Sequence, residues 1–381
     1  MAINLKKSSE AILAAALKAV DPHQLIKEQV RREGSVLHFP GKQTVDLDHF
    51  DRVFVYGAGK GVAPMAKAME ELLGDELAGG DVIVKYHHTD QLKTIRLHEA
   101  AHPVPDQNTI DSTNILLKNM QGLTDKDCVF VLLTGGGSAL MESLKPDISL
   151  ENLQALSELL LDCGANIHEI NCIRKHISEI KGGQLAKRIY PARCITLALS
   201  DVIGDDLSVI ASGPTNADRS TYQEALHIVE KYGIKGKIPG PILKHLQKGV
   251  DGEMEETPKS GDKIFTKVSN LVIGNNRLAL VKAAERAKMD NFNVIILTSM
   301  LSGEAREIGL MLSAIIREVQ ISNQPLLKPA CILLGGEPTV HIRGSGKGGR
   351  NQELALAVAI SGIEDSYLFV SCGSDGTDGP T

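Results

Sequence analysis

The sequence has no tryptophan and only 3% aromatic residues, so it lacks the stacking platforms that hold single-stranded nucleic acids. It has no excess of basic charge either: 41 Lys and Arg stand against 47 Asp and Glu, a formal net charge of −6. A nucleic acid or an anionic membrane needs an accumulated basic face, which this balance does not supply. No apolar run reaches the roughly 18 residues of a membrane span, and the N-terminal "MAINLKKSSEAILAAALKAV" lacks a signal-peptide cleavage pattern. The six cysteines, Cys128, Cys163, Cys172, Cys194, Cys331 and Cys372, include no pair two to four residues apart, which sets aside a structural zinc site. Several lie in apolar runs such as "DCVFVLL" and "ACILLGG", where cysteine packs as a small hydrophobe. These absences describe a soluble protein of a reducing compartment, the cytoplasm, with an organelle address left open.

The chain does have length and glycine turns. Its 381 residues exceed the roughly 250–300 at which one core stops growing, so two domains are the default. Residues 6 to 20 repeat apolar side chains at helical spacing, and "DPHQLIKEQVRR" restarts a helix with Asp21 as N-cap and Pro22 at its first position. "SVLHF" and "QTVDL" flank "PGK" as a hairpin. "DRVFVYGAGKGVAPMAKAMEELLG" then gives strand, glycine turn and amphipathic helix in succession, a unit that recurs at "DCVFVLLTGGGSALMES", "SNLVIGNNRLALVKAAERAK" and "FNVIILTSMLSGEAREIGLMLSAIIREV". With the further apolar strands "CITLALSD", "ACILLGG" and "SYLFVSCGSD", this predicts α/β layers around parallel sheets. In such sheets ligands bind at the C-terminal ends of the strands, where the glycine turns sit. Gly, Pro and charge accumulate between about 233 and 265. That shift predicts a first domain over 1–240, a linker or exposed excursion over 241–265, and a second domain over 266–381. The sequence stops at "GSDGTDGPT", inside a polar loop after a strand, which is expected of a C-terminal domain cut short.

Four stretches bear chemistry. In "YGAGKGVAPMAK", Gly57, Gly59 and Gly61 allow a tight turn and Lys60 stands beside a helix start; neither the dinucleotide nor the Walker pattern is completed. In "LLTGGGSALME", Gly135, Gly136 and Gly137 can turn successive N–H groups toward an anion, with the Ser138 hydroxyl as another donor. Leu140 breaks the hydrolase elbow, and the same glycines could serve only helix-on-strand packing. "NCIRKHISEIKGGQLAKRI" places Arg174, Lys175, Lys181 and Lys187 in a mainly helical stretch. Spacing makes this a solvated face, with Lys175 and His176 as candidates to point elsewhere. Asp201, Asp205 and Asp206 directly follow a strand in "LALSDVIGDDLSVIASGPT", where carboxylates could orient a hydroxyl, hold magnesium or merely cap the next segment. His102, in the Pro-stiffened "AAHPVPD", reads as structural.

The glycine run "GGEPTVHIRGSGKGGRNQELALAV" poses a physical problem. Gly344, Gly346 and Gly349 satisfy Gly-x-Gly-x-x-Gly before a helix, yet Lys347 and Arg350 add cations where the helix dipole is already positive. An anion between them resolves the conflict. A dinucleotide pyrophosphate needs no such cations, and Asp375 in "GSDGTDG" stands in a loop and not at the strand end that would bind ribose. A triphosphate or a phosphoryl group in flight fits better.

Taken in order, "GAGK", "HPVPD", "TGGGSAL", "RKHISEIKGGQLA", "SDVIGDDLSVIASGPT", "GGEPTV", "GKGGRNQE" and "GSDGTDGPT" resemble the glycerate 2-kinase family, the class with a MOFRL-type C-terminal domain, over roughly residues 5 to 381. The resemblance implies a Rossmann-like three-layer N-terminal domain, a smaller C-terminal α/β domain, and a site in the cleft between them. It implies transfer from ATP to D-glycerate, giving 2-phosphoglycerate, with Mg2+ or another divalent cation. Lys60 and Arg350 match the family's proposed catalytic pair. On that footing Asp201 orients the attacking hydroxyl or, with Asp205, a metal, and Glu337 anchors a substrate hydroxyl. Lys175, Lys347 and the glycines at 57, 59, 135–137, 346 and 349 hold phosphates or carboxylate. A small-molecule substrate is the expected partner, and a homodimer is compatible with it. Two rivals use the same glycine turns: an NAD(P)H-dependent hydroxypyruvate reductase and a non-catalytic binder of sugar phosphates.

Overall fold

In the computed structural model, residues 4–342, 344, 346–364 and 366–379 are described. Helices α1 (Leu5–Ala19) and α2 (Pro22–Gln29) open the chain. As the sequence implies, Pro22 starts α2 and the Asp21 carboxylate accepts from the Gln24 N–H at 2.9 Å. The expected continuation through Arg31 and Arg32 does not occur. Those residues form strand β1 (Arg31–Glu33), which adds antiparallel to the hairpin of β2 (Val36–Phe39) and β3 (Gln43–Asp46).

The contacts divide the chain into two compact units, one of Leu25–Ser200 with Asp205–Ile273, the other of Met1–Gln24, Asp201–Gly204 and Gly274–Thr381. The first holds β4 (Arg52–Ala58), α3 (Val62–Leu73), β5 (Leu77–Lys85), β6 (Ile95–Ala100), α4 (Gln107–Asn119), β7 (Asp127–Leu133), α5 (Gly137–Leu140), α6 (Leu150–Asp162), α7 (Ile167–His176), α8 (Gln184–Ile189), β8 (Arg193–Leu199), α9 (Tyr222–Lys231), α10 (Gly240–Val250) and β9 (Val268–Gly274). Its sheet runs β6-β5-β4-β7-β8-β9, parallel from β6 through β8. Numbered from β4, this is the doubly wound order 3-2-1-4-5-6. All seven residues of β7 are buried, as a central strand covered on both faces requires. The chain proceeds from β4 to β5 and β6 on one side and returns to β7 and β8 on the other. The crevice at the C-terminal ends of β4 and β7 is therefore the topological switch point.

Residues 241–250, expected within a linker, belong to α10. Pro241 lies in its first turn, where a missing N–H costs nothing. Ile242 and Leu246 are fully buried with Ile228 and Val229 of α9, so the Gly and Pro there mark a helix start. The loop after it is tied down by Glu256. That carboxylate accepts from the Tyr222 N–H at 2.8 Å and meets His176 Nε2 and Lys259 Nζ, each at 3.1 Å.

The second unit contains α11 (Asn276–Met289), β10 (Asn293–Leu301), α12 (Ala305–Ser322), β11 (Ala330–Gly336) and α13 (Arg350–Ala359). Strands β10 and β11 pair in parallel, α1 packs on α11, and Ile308 and Leu312 of α12 meet Leu354 and Val358 of α13 in a small core. The expected strand "SYLFVSC" joins neither sheet among the described residues. Tyr367 and Phe369 instead lie against the α12–α13 core. Of the cysteines, Cys128, Cys172 and Cys194 are buried, and burial pushes each of these thiols up to about 12.

Burial alone would raise the Glu256 carboxyl, but His176, the Tyr222 N–H and Lys259 together hold it down at about 2. A carboxyl lowered in the folded state contributes stability above its unfolded value, and that contribution disappears as pH falls toward the folded value. Glu256→Gln is expected to lower the thermal midpoint at pH 7. The difference from wild type should shrink steadily between pH 4.5 and pH 2, and unfolding curves across that range check it.

Candidate active site

At the switch point, β4 runs into Gly59-Lys60-Gly61 and β7 into Thr134-Gly135-Gly136-Gly137. The two turns are stitched together: the Lys60 N–H donates to Gly135 O at 2.9 Å and the Gly61 N–H to Thr134 Oγ1 at 3.0 Å. Little space separates them. A Cβ on Gly57 would lie 2.3 Å from Leu132 O, one on Gly59 2.1 Å from Thr134 Oγ1, and one on Gly137 3.0 Å from Ala58 O. Backbone packing therefore accounts for Gly57, Gly59 and Gly137, and the Gly137 N–H is spent on Thr134 O. Gly136 differs. Its φ is 84°, and a Cβ there would meet His102 Cδ2 at 2.8 Å, His102 Nε2 at 2.9 Å and Lys60 Cγ at 3.2 Å. The missing side chain makes room for Lys60 and His102 together, so His102, read as structural, lies beside the nominated lysine. Its contact depends on a loop more than 30 residues from either glycine turn, and local spacing carries no sign of it.

The Ser138 hydroxyl is 2.5 Å from Ser212 Oγ, which in turn donates to Asn171 Oδ1 at 2.8 Å. Ser212 sits at φ 62° after Ala211 at 49°, a left-handed pair of non-glycine residues held under strain. The helical stretch expected as a solvated face is largely internal. Lys181 is buried, and burial, opposed by Glu142, pulls its ammonium down to about 8. Lys175 is buried against Asp218, 3.1 Å away, and Asp218 also accepts from Ser220 and Thr257. The charge of Lys175 is thus paired inside the protein. Asp201 and Asp205 fall in different units, Asp201 exposed, and Asp206 caps the Ser208 N–H at 2.8 Å. No group of three or more metal-ligating side chains assembles among the described residues.

In the second unit, the glycine run before α13 meets an anion from its own chain. The Asp378 carboxylate accepts from the N–H groups of Asn351 and Gln352, both at 2.9 Å, and from Asn351 Nδ2 at 3.0 Å. Burial would raise this carboxyl, but the two helix amides and Arg350 hold it below the usual range. Gly349 must be glycine because a Cβ would lie 2.4 Å from the Asp378 carbonyl carbon. Arg350 Nη1 pairs with Glu337 Oε1 at 2.7 Å, so Glu337 anchors the arginine. Gly346 and Lys347 are exposed. A pyrophosphate or triphosphate on the α13 amides would have to displace Asp378, which weakens both the dinucleotide and the triphosphate readings of these amides.

A doubly wound sheet that gathers a lysine and a histidine at its switch point defines a class: α/β proteins that handle small anionic ligands. Two family models match the chain, one described as a domain of unknown function (DUF4147) over residues 8–247 and the MOFRL family over residues 330–381. The chain is 41% identical to the D-glycerate 2-kinase of Thermotoga maritima, over 99% of this chain and 84% of that one. It is 38% identical to the glycerate 2-kinase of Pyrococcus horikoshii, over 100% and 85%. A putative hydroxypyruvate reductase of Agrobacterium vitis is 39% identical over 86% of this chain and 73% of its own. The crystal structure of the Thermotoga maritima glycerate kinase superposes with a TM-score of 0.82 at 40% identity, covering 99% and 85% of the two chains. This chain belongs to the glycerate kinase family that carries a MOFRL C-terminal domain.

Asp378→Ala removes the cap from α13 and should cost about 1 kcal/mol. Amide exchange at Asn351 and Gln352 should accelerate well before exchange in the α12 core, and hydrogen-exchange rates test this.

Proposed function

We propose that this chain transfers the γ-phosphoryl group of ATP to D-glycerate, forming 2-phosphoglycerate. The observation that carries the reading is Lys60 held over Gly136 beside His102 at the switch point of the sheet. It is supported by the similarity to glycerate 2-kinases along nearly the whole chain. Phosphoryl transfer asks the protein for alignment and for neutralisation of charge on the equatorial oxygens. Lys60 supplies a cation whose backbone is already fixed by the Gly135 carbonyl. Arg350 is the second cation, oriented at rest by Glu337. His102 is positioned to bond a phosphate or carboxylate oxygen beside Lys60. Asp201 is the candidate to orient the attacking hydroxyl. A divalent ion would arrive on the nucleotide phosphates, as Mg2+ commonly does in such reactions, with Asp201 as its protein contact.

Lys60→Ala and Arg350→Ala are each expected to lower kcat by about a hundredfold or more, the scale of losing a transition-state charge partner. Arg350→Lys should remain poor if the planar fork matters. Phosphorus NMR of ATP with D-glycerate reports transfer, and coupling to the carbon-bound hydrogens reports which hydroxyl carries the new ester. Oxidation of NADH by hydroxypyruvate in place of transfer would establish the reductase instead. Wild-type turnover in both alanine variants would remove the pair.

A further inference from the structure

A buried charged cluster lies beneath the 135–138 turn. Lys181 and Glu142 both have 0% side-chain exposure, with Nζ 3.1 Å from Oε2. Lys181 Nζ also donates to Met141 O at 2.9 Å and to Ser138 O at 3.0 Å, and Arg174 Nη2 donates to the same Ser138 O at 2.9 Å. In a longer helix that carbonyl would receive the N–H four residues on. Here α5 is a single turn, and the Glu142 N–H turns away to Thr113 Oγ1 at 3.0 Å. Glu142 is fixed in turn by Ser178 Oγ at 2.6 Å. On the other side of Lys181, the N–H groups of Gly182 and Gly183 donate to Ser212 O at 3.0 Å and Gly213 O at 2.8 Å.

Stability is a weak reason for this choice of residues. A buried ion pair is generally no more stabilising than apolar side chains of the same shape, because both charges lose their hydration. What an apolar pair cannot do is direct two cationic donors onto one carbonyl and hold it there. We propose that Lys181, secured by Glu142, is a positioning residue for phosphoryl transfer. It ties the 135–138 turn to the strained 211–213 turn, and through Gly135 O, which accepts the Lys60 N–H, it fixes where Lys60 stands. The inference rests on the proposed kinase activity.

The decisive variant is the double substitution Lys181→Met with Glu142→Gln, which removes both charges of the pair and leaves an amide oxygen for Arg174, whose Nη2 lies 3.6 Å from Glu142 Oε2; it is assayed with ATP and D-glycerate beside the wild type. A pair needed only for folding would lower the thermal midpoint and kcat together. A positioning pair leaves the midpoint within about 2 °C of wild type while kcat falls about tenfold or more, with smaller changes in KM for either substrate. Wild-type kcat in the folded double variant overturns the inference, as does a loss of kcat matched by a lower midpoint. If the double variant does not fold, Arg174→Met decides, since it removes one of the two donors to Ser138 O and leaves the buried pair. A midpoint within about 2 °C of wild type with kcat reduced about threefold or more supports the inference, and unchanged kcat overturns it. Absence of transfer by the wild type sinks the kinase reading itself, an outcome distinct from an active double variant.

Discussion

Strand β4 and its exit turn lie so close to the neighbouring strands that no side chain fits at three glycines. A Cβ on Gly80 would come 1.8 Å from Val55 O, and those on Gly57 and Gly59 would strike Leu132 O and Thr134 Oγ1. That tight contact places the ends of β4 and β7 side by side and obliges the chain to leave β4 in a turn whose first amides bond across to the β7 turn. Lys60 therefore has a backbone fixed by its neighbour strand before any ligand arrives. A backbone that need not be ordered on binding costs less free energy when a ligand arrives. The glycines at this site act chiefly by letting backbones approach. Only at Gly136 does the absent side chain open space toward Lys60 and His102.

The second unit solves the opposite problem. The positive end of α13 coincides with Lys347 and Arg350, an arrangement that charge repulsion alone would penalise. Asp378 brings a carboxylate onto the first amides of the helix, and Glu337 brings another onto Arg350. The anion demanded by the glycine run is thus supplied in part from within the chain. A helix terminus already capped by a carboxylate is a rigid mount for the arginine beside it and is no longer an open phosphate cradle.

Features set by neighbours in sequence were legible there. Asp21 and Pro22 announce α2, and the apolar runs of β4, β7 and β8 with their glycine turns announce the sheet and the end at which ligands collect. Features set by contacts distant in sequence were not. Arg174 and Lys181 have the spacing of a solvated face, and it is Glu142, more than thirty residues away, that meets both inside the protein; Lys175, a candidate to point inward, finds Asp218. Asp378 lies 27 residues from the amide it caps, a separation no capping pattern covers. Residues 241–250 fell within the expected linker or exposed excursion of 241–265 because the Pro and Gly at a helix start resemble those of a loop. The segment "SYLFVSC" has strand composition, but composition does not provide a partner strand.

Energetics separates the cations that can serve a ligand from those that cannot. Arg350 and Glu337 are 39% and 47% exposed, and an ion pair in that setting is worth about 0–1 kcal/mol. A phosphate can exchange for Glu337 at small cost, and the carboxylate meanwhile keeps the guanidinium oriented. Lys175 and Asp218 are 8% and 1% exposed. Separating them would strand a charge in a poorly hydrated interior, a cost of about 3–5 kcal/mol. A ligand contact strong enough to repay that cost would have to be made entirely by Lys175. The same comparison sets Lys181 aside as a ligand group and leaves it a fixed strut. Of the other nominated cations, Lys60 is half-buried over Gly136, Lys347 is exposed and Arg350 sits in an exchangeable pair; under the proposed function these are the charges that would meet a phosphoryl group.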